Sequence, residues 1–222
     1  MKELCHVRYF HAAFFCLFIS GMVHAQSSSI WFAGQLAMRK KNWEWHQDAG
    51  YRTIGTSAKA TLWFYRTGLR HYFNPKWNAA AGYALFNSRV ENDKPAFGAE
   101  NRIWEEVVRQ DHWNKLRWMQ RVRADHRWFN ATSKITAYTA HRLRYRTAFI
   151  HPIHPKLDVQ LYDEIMVQYQ HGDWIFNQNR IGAFLHIKHT SKQTINIGYT
   201  HLQQKSGIMH LIMVGYQHNI EF

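Results

Sequence analysis

Apolar and polar residues alternate one by one along most of the chain, and this period of two limits its fold more than any other feature. In residues 156–170 the odd-numbered positions are apolar except for Asp163, and the even-numbered positions are mostly polar or charged. Side chains two residues apart share one face of a β-strand. The segment is therefore expected to form a strand with one apolar and one polar face. No segment with helical periodicity stands out.

The same alternation recurs along the chain. In three further segments, aromatic or aliphatic side chains on one face oppose a face that carries arginines: residues 63–70, 117–129 and 142–149. In residues 180–188, aliphatic side chains oppose a mixed face that runs from Arg180 to Lys188. About eleven such segments can be counted, and each can cross a bilayer as a tilted strand of about 9–11 residues. The sequence thus predicts a protein built from strands of transmembrane length.

The connections between these segments indicate how the strands are joined. The four prolines fall in connections, where they break no strand hydrogen bonds: Pro75, Pro95, Pro152 and Pro155. Short connections are expected at 74–77, 111–114 and 190–192, and longer ones at 88–97 and 171–177. This alternation predicts an all-β fold, a transmembrane antiparallel up-and-down β-barrel of about 10–12 strands. Because single-chain bacterial barrels have even strand numbers, ten or twelve strands are expected rather than eleven.

The N-terminus has the pattern of a secretory signal. Lys2 and Arg8 precede an apolar run at residues 12–23, and Val23-His24-Ala25 offers a small-x-small cleavage site. We expect a signal peptide at 1–25 and an outer-membrane β-barrel at 26–222. Both cysteines, Cys5 and Cys16, would leave with the signal, so the exported chain would carry no disulfide.

The polar faces carry charges of both signs, although the chain as a whole has a net charge of +13. Such a basic chain could bind nucleic acid, but the interleaved carboxylates favour local neutralisation, as between Arg102 and Glu100 or Arg127 and Asp125. A salt-bridged lumen is expected, and an anion path is the alternative. The predicted lumen charges are Glu44, Asp48, Arg66, Arg70, Glu100, Arg102, Arg121, Arg123, Asp125, Arg127, Arg142, Arg144, Asp158, Glu164 and Arg180.

Aromatic residues favour a membrane barrel over a soluble one. The ten tryptophans all follow the predicted signal, several near expected strand ends, as in the aromatic girdles of outer-membrane barrels. The last segment alternates Tyr216, Ile220 and a terminal Phe222 with polar residues, in the manner of an assembly signal of bacterial outer-membrane proteins. A soluble periplasmic β-barrel binding protein, with the charged face outside, stays open as an alternative.

A series of short motifs resembles a known family. The motifs are the start at Trp31, Glu100-x-Arg102-Ile103-Trp104-Glu105, Arg121-x-Arg123-x-x-His126-Arg127, Arg142-x-Arg144-Tyr145 and Phe176-Asn177-Gln178-Asn179-Arg180. Together they resemble the uncharacterised outer-membrane barrel family called domain of unknown function 2490, common in Bacteroidota-type bacteria. The resemblance covers essentially the whole exported chain. It implies a fold and a location, but no established activity and no catalytic residues.

An outer-membrane hydrolase, of the lipid deacylase or protease type, is the enzymatic alternative. His189 and Ser191 form a His-x-Ser pair in which the imidazole could activate the hydroxyl. Their expected place in a short periplasmic turn, away from the outer leaflet, speaks against this role. Asp125 and His126 form an acid–imidazole pair, but adjacent strand residues point to opposite faces.

No cofactor and no metal site are expected. Two histidine pairs have ligand-like spacing, His186 with His189 and His151 with His154, but such pairs are weak signals on a strand or in a turn.

The expected partners are outer-membrane lipid, lipopolysaccharide and, during biogenesis, the barrel-assembly machinery, with no nucleic acid. We therefore expect a Gram-negative outer-membrane barrel with a structural, narrow-channel or envelope-component-binding role, and a non-enzymatic role is favoured.

Overall fold

The computed structural model describes residues 28–53, 55, 60–89, 97–132 and 136–222. The predicted signal peptide, Cys5, Cys16 and Pro95 lie outside these residues. Eleven strands occur in the described ranges: β1 Ser28–Lys40, β2 Trp43–Thr53, β3 Ala60–Tyr72, β4 Trp77–Arg89, β5 Phe97–Trp113, β6 Leu116–Phe129, β7 Tyr138–His154, β8 Leu157–Gln170, β9 Asp173–Lys188, β10 Gln193–Gln204 and β11 Gly207–Glu221. Over those ranges, no helix is long and apolar enough to cross a membrane.

The strands close into one barrel in which each strand pairs with its neighbours in the chain. These sequential pairs are antiparallel, whereas β1 and β11 pair in parallel, from Ser28 opposite His210 to Arg39 opposite Glu221. The predicted all-β closed barrel is confirmed. The expectations of an even strand number and of a wholly antiparallel barrel are wrong. With eleven up-and-down strands, the first and the last run in the same direction, so the barrel can close only through a parallel pair.

The connections differ at the two ends of the barrel. Connections at 41–42, 73–76, 114–115, 155–156 and 189–192 define the short-turn rim, and those at 54–59, 90–96, 130–137, 171–172 and 205–206 define the long-loop rim. The predicted longer connection at 171–177 is wrong. His171 and Gly172 both have positive φ, at 54° and 93°, which suits a two-residue hairpin turn. Pro152 lies within β7, at a register irregularity near the strand end, and not in a connection.

Inner and outer faces of the wall have opposite character. Along β5, Arg102, Trp104 and Glu106 are buried inside the barrel, while Ile103 and Val107 are exposed on the outside. The alternation recurs along the other strands, apart from a shift near Asn177 in β9, so most of the charged residues line the interior. The outer wall displays large apolar side chains, among them Leu69, Val122, Leu143, Phe149, Leu161, Ile165, Ile181, Ile195, Ile197 and Ile212.

A small apolar cluster fills one side of the interior around Trp104. The Trp104 ring is fully buried, and the Arg123 guanidinium carbon lies 4.4 Å from its centroid. Gly68 and Gly82 lie beneath the ring. A Cβ atom on Gly82 would stand 2.7 Å from Trp104 Cζ2 and 2.1 Å from the Thr67 carbonyl oxygen. The absence of side chains at these glycines therefore makes room for the indole.

Replacing Gly82 by alanine is expected to destabilise the barrel by about 1–3 kcal/mol, because the new methyl group overpacks a filled region. The temperature at which the barrel loses its folded mobility on an SDS gel would measure this effect. Gly34→Ala is the matched control, since a Cβ at Gly34 meets no atom within 4 Å. Equal midpoints for the two variants would show that Trp104 does not pack tightly on Gly82.

Candidate functional site

The barrel interior concentrates nearly all buried charge of the described chain. Inward-facing cations are Arg39, Arg52, Arg66, Arg70, Arg102, Arg117, Arg121, Arg123, Arg127, Arg142, Arg144, Arg146, Arg180 and Lys188. Inward-facing carboxylates are Glu44, Asp48, Glu100, Glu106, Asp125, Asp158 and Glu164. The cations are twice as many as the carboxylates, so the interior has a positive balance.

Asp125 is the centre of the network and is fully buried. Its Oδ1 accepts a hydrogen bond from Arg123 Nε at 2.9 Å, and its Oδ2 accepts one from Arg142 Nη2 at 2.8 Å. Arg144 Nη1 stands 3.6 Å from the same Oδ2. Three guanidinium groups from two neighbouring strands, β6 and β7, thus share one carboxylate.

Two further carboxylates extend the network across the barrel. Glu164 Oε1 accepts hydrogen bonds from Arg121 Nη2 at 2.6 Å and Arg144 Nη2 at 2.8 Å. Glu106 Oε1 accepts one from Arg70 Nη2 at 2.8 Å, and its Oε2 lies 3.7 Å from Arg121 Nη1. Arg144 and Arg121 therefore connect the three carboxylates into one continuous assembly, which ties β3 and β5 through β8 together.

Further ion pairs surround this assembly, and one of them shares Arg70 with it. Arg66 forms two hydrogen bonds of 2.7 Å to Asp48, and Lys188 Nζ donates to Asp158 Oδ1 at 2.7 Å. On the β2–β3 pair, Arg70 Nη1 and Tyr72 Oη donate to the two oxygens of Glu44 at 3.0 and 2.7 Å.

Arg102 pairs with Glu100, as expected from the sequence. The expected pair of Arg127 with Asp125 is wrong, because Arg127 also binds Glu100, on the adjacent strand. In an antiparallel sheet a cross-strand neighbour lies closer to a side chain than many residues of its own strand.

Each of these seven carboxylates is thus held by at least one cation. A carboxylate fixed by guanidinium groups is a poor general base, since its lone pairs already accept charged hydrogen bonds. The arrangement is suited to filling the barrel and to attracting anions, and less to acid–base catalysis.

The candidate catalytic residues do not come together. His189 and Ser191 lie in the 189–192 connection at the short-turn rim, where the His189 amide donates to the Gln193 carbonyl at 2.9 Å. Asp125 points inward among its arginines, and His126 points to the outer wall. Within the described residues, no group of three or more His, Cys, Asp or Glu side chains is placed to hold a metal ion.

A polar cluster on the outer wall was not predicted from the sequence. His126 Nδ1 and His141 Nδ1 are 2.8 Å apart and share a hydrogen bond, and His126 Nε2 lies 3.5 Å from Glu105 Oε1. These residues occupy outward positions of three neighbouring strands, β5 to β7. Their polarity at positions that are apolar in other strands was the signal that could have revealed them.

The C-terminal residues complete the outer wall at the parallel closure. Tyr216 is exposed on the outer wall and Phe222 is largely exposed beyond the end of β11. Ile220 lies on the same face, opposite Met38 of β1. The three side chains therefore form one outward row at the strand that completes the barrel.

A closed β-barrel with an apolar outer wall and a charged, salt-bridged interior is the class of protein that these observations define. The chain matches the family described as protein of unknown function DUF2490 over residues 29–208, and it belongs to that family. No curated protein matches the chain.

Proposed function

We propose that the chain is a small β-barrel of the Gram-negative outer membrane, with its outer wall in contact with lipid and its interior closed by side chains. In this proposal it has a structural or envelope-component-binding role, and any path through it is narrow. The inverted polarity of the wall is the observation that carries the proposal. A soluble barrel would place its isoleucines and leucines inside, whereas here most of them are exposed and most of the ion-paired charges are buried or half-buried.

The energetic argument follows from burial. Each large apolar side chain left in water forgoes about 1.5–3 kcal/mol of transfer free energy, and many such side chains cover the outer wall. A bilayer accepts that surface, and strands that bond to both neighbours leave no unpaired edge in it. The charged interior then corresponds to the polar lumen typical of outer-membrane barrels.

Aromatic side chains at both rims agree with a membrane position. Exposed tryptophans lie on the outer wall at the short-turn rim, at positions Trp43, Trp77 and Trp113. A second set lies near the long-loop rim, at positions Trp63, Trp128 and Trp174. Two such bands are typical of the headgroup regions on either side of a bilayer.

The interior supports a closed barrel more than an open pore. Eleven strands enclose a lumen only moderately wider than the eight-stranded barrels that side chains fill. Here the Asp125, Glu164 and Glu106 ion pairs reach across strands, and the Trp104 ring occupies another part of the space.

Expression of the full chain in a Gram-negative host tests the proposal. The protein is expected in the outer-membrane fraction, resistant to extraction by urea, and with a different mobility on SDS gels before and after boiling. Release by urea together with equal mobility would contradict it, and would favour a soluble periplasmic barrel.

A further inference from the structure

Two histidines face each other on the outer wall near the long-loop rim. His126 of β6 and His141 of β7 are direct cross-strand partners, and their Nδ1 atoms are 2.8 Å apart. The planes of the two rings meet at 73°. At this distance one Nδ1 carries a proton and the other accepts it with its lone pair. The two nitrogens are therefore aimed at one shared position between the rings.

Glu105 of β5 decides which of the two rings carries the shared proton. Its Oε1 lies 3.5 Å from His126 Nε2. A carboxylate accepts hydrogen bonds and does not donate them, so it favours an N–H at Nε2 of His126. A neutral imidazole carries one N–H, so the Nδ1 of His126 then has its lone pair directed at His141, and His141 supplies the shared proton.

The contact between Glu105 and His126 is the one that metal-binding histidines commonly make. Such a histidine donates its second ring N–H to a carboxylate, which fixes its tautomer and its orientation. Zn²⁺ binds imidazole nitrogens at about 2.0–2.1 Å, so two ligand nitrogens of a tetrahedral site stand about 3.3 Å apart. The Nδ1 atoms of His126 and His141 need to separate by only about 0.5 Å to reach that spacing.

The surroundings suit a cation that completes its coordination with water. His126 is 38% exposed, and His141 is exposed. Their outward neighbours Ala124 and Leu143 line an open groove together with Glu105. His126 lies three residues before the end of β6 at the long-loop rim, which is about 10 Å along the strand. Water therefore reaches the pair even where lipid covers the middle of the wall.

We infer that His126 and His141 form a binding site for a transition-metal dication such as Zn²⁺, here called the histidine site. The two Nδ1 atoms are its protein ligands, water molecules fill the other positions, and Glu105 positions His126. When the cation binds, the Nδ1 proton of His141 passes through water to Nε2 of the same ring, so both imidazoles stay neutral. This inference goes beyond the proposed function and does not depend on where the barrel is located.

A second histidine pair on the same wall differs at the ligand atoms. His201 of β10 and His210 of β11 are also direct cross-strand partners, with ring centroids 5.3 Å apart compared with 5.1 Å for His126 and His141. In that pair, however, Nδ1 of His210 forms a hydrogen bond with the Tyr199 hydroxyl. The second pair therefore has the same side chains at the same separation without two nitrogens aimed at one position, and it provides a matched control.

Calorimetric titration of the folded full-length barrel in detergent with Zn²⁺ tests the histidine site. The wild type is expected to bind one Zn²⁺ more tightly than any further ion. His126→Gln and His141→Gln each remove one of two protein ligands and are expected to weaken that binding at least tenfold. Glu105→Gln is expected to weaken it about tenfold, since a carboxylate behind a ligand usually contributes a factor of about 10–100. His210→Gln is expected to bind like the wild type.

Chemical modification locates the bound ion and separates binding from folding. Diethyl pyrocarbonate modifies accessible imidazoles, and mass spectrometry assigns the modified residues. Zn²⁺ is expected to protect His126 and His141 and to leave His210 reactive. All four variants are expected to keep the wild-type heat stability without Zn²⁺, because the substituted side chains lie on the outer surface of the wall.

Three results would overturn the histidine site: no tight Zn²⁺ site in the wild type, unchanged affinity in either His126→Gln or His141→Gln, or equal protection of His210. A barrel that keeps its heat-dependent gel mobility but lacks the tight Zn²⁺ site would overturn the histidine site alone. A barrel that binds Zn²⁺ as expected but is found outside the membrane would overturn the proposed location alone.

Discussion

Asp125→Asn is expected to lower the free energy of unfolding by about 3–5 kcal/mol, the largest effect of any single polar change in the barrel. The carboxylate is fully buried and holds Arg123, Arg142 and Arg144. Asparagine preserves the shape but removes the charge, so three guanidinium groups would face one another without neutralisation. Denaturant titration of the folded barrel, followed by gel mobility, measures the change.

The control is the same substitution on the other face of the wall. Asp163 is an exposed carboxylate on the outward side of β8, and Asp163→Asn is expected to leave the unfolding midpoint unchanged or to raise it slightly. If Asp125→Asn changed the midpoint no more than Asp163→Asn did, the interior ion pairs would not stabilise the barrel.

Much of the fold can be predicted from the sequence, because a period of two assigns every side chain to one of two faces. Residues 156–170 illustrate this: the apolar positions lie outside and Asp158, Glu164 and Gln168 lie inside, as the alternation indicates. The number of segments was also correct. The expectation of an even number of strands was wrong, because the alternation within each strand does not show how the first and last strands pair.

The connections were harder to predict than the strands. Residues 173–177 were predicted to belong to a longer connection, at 171–177. In the structure β9 begins at Asp173, and a register irregularity near Asn177 keeps the strand paired with β8. Such a bulge shifts the alternation by one residue, which hides the strand from a strict period of two.

The partners within the interior could not be read from the sequence. Arg127 binds Glu100 because β5 and β6 are in register there, and only the paired strands reveal that proximity. Glu106 was omitted although it binds Arg70 and neighbours two further arginines. Consecutive glutamates at 105 and 106 face opposite sides, and continuing the alternation from Glu100 and Arg102 would have placed Glu106 inside.

Ile197→Arg is the second substitution for which we expect a large effect. It is expected to lower the free energy of unfolding in phospholipid vesicles by about 2–4 kcal/mol. Ile197 lies near the middle of β10 and is 45% exposed on the outer wall, between Leu185 and Val214 of the neighbouring strands. No charged side chain lies at these cross-strand positions to pair with the new arginine. If the outer wall contacts lipid, the guanidinium is placed deep in the hydrocarbon.

Comparison of Ile197→Arg with Ile153→Arg tests the central claim most directly. Ile153 is also exposed on the outer wall, at 57%, but it lies at the end of β7 near the short-turn rim. A lipid-facing wall predicts a loss of about 0–1 kcal/mol for Ile153→Arg, well below that for Ile197→Arg. Surface substitutions in water usually change the free energy of unfolding by no more than about 0.5 kcal/mol. If both variants showed equal changes within that range, the outer wall would not face a membrane.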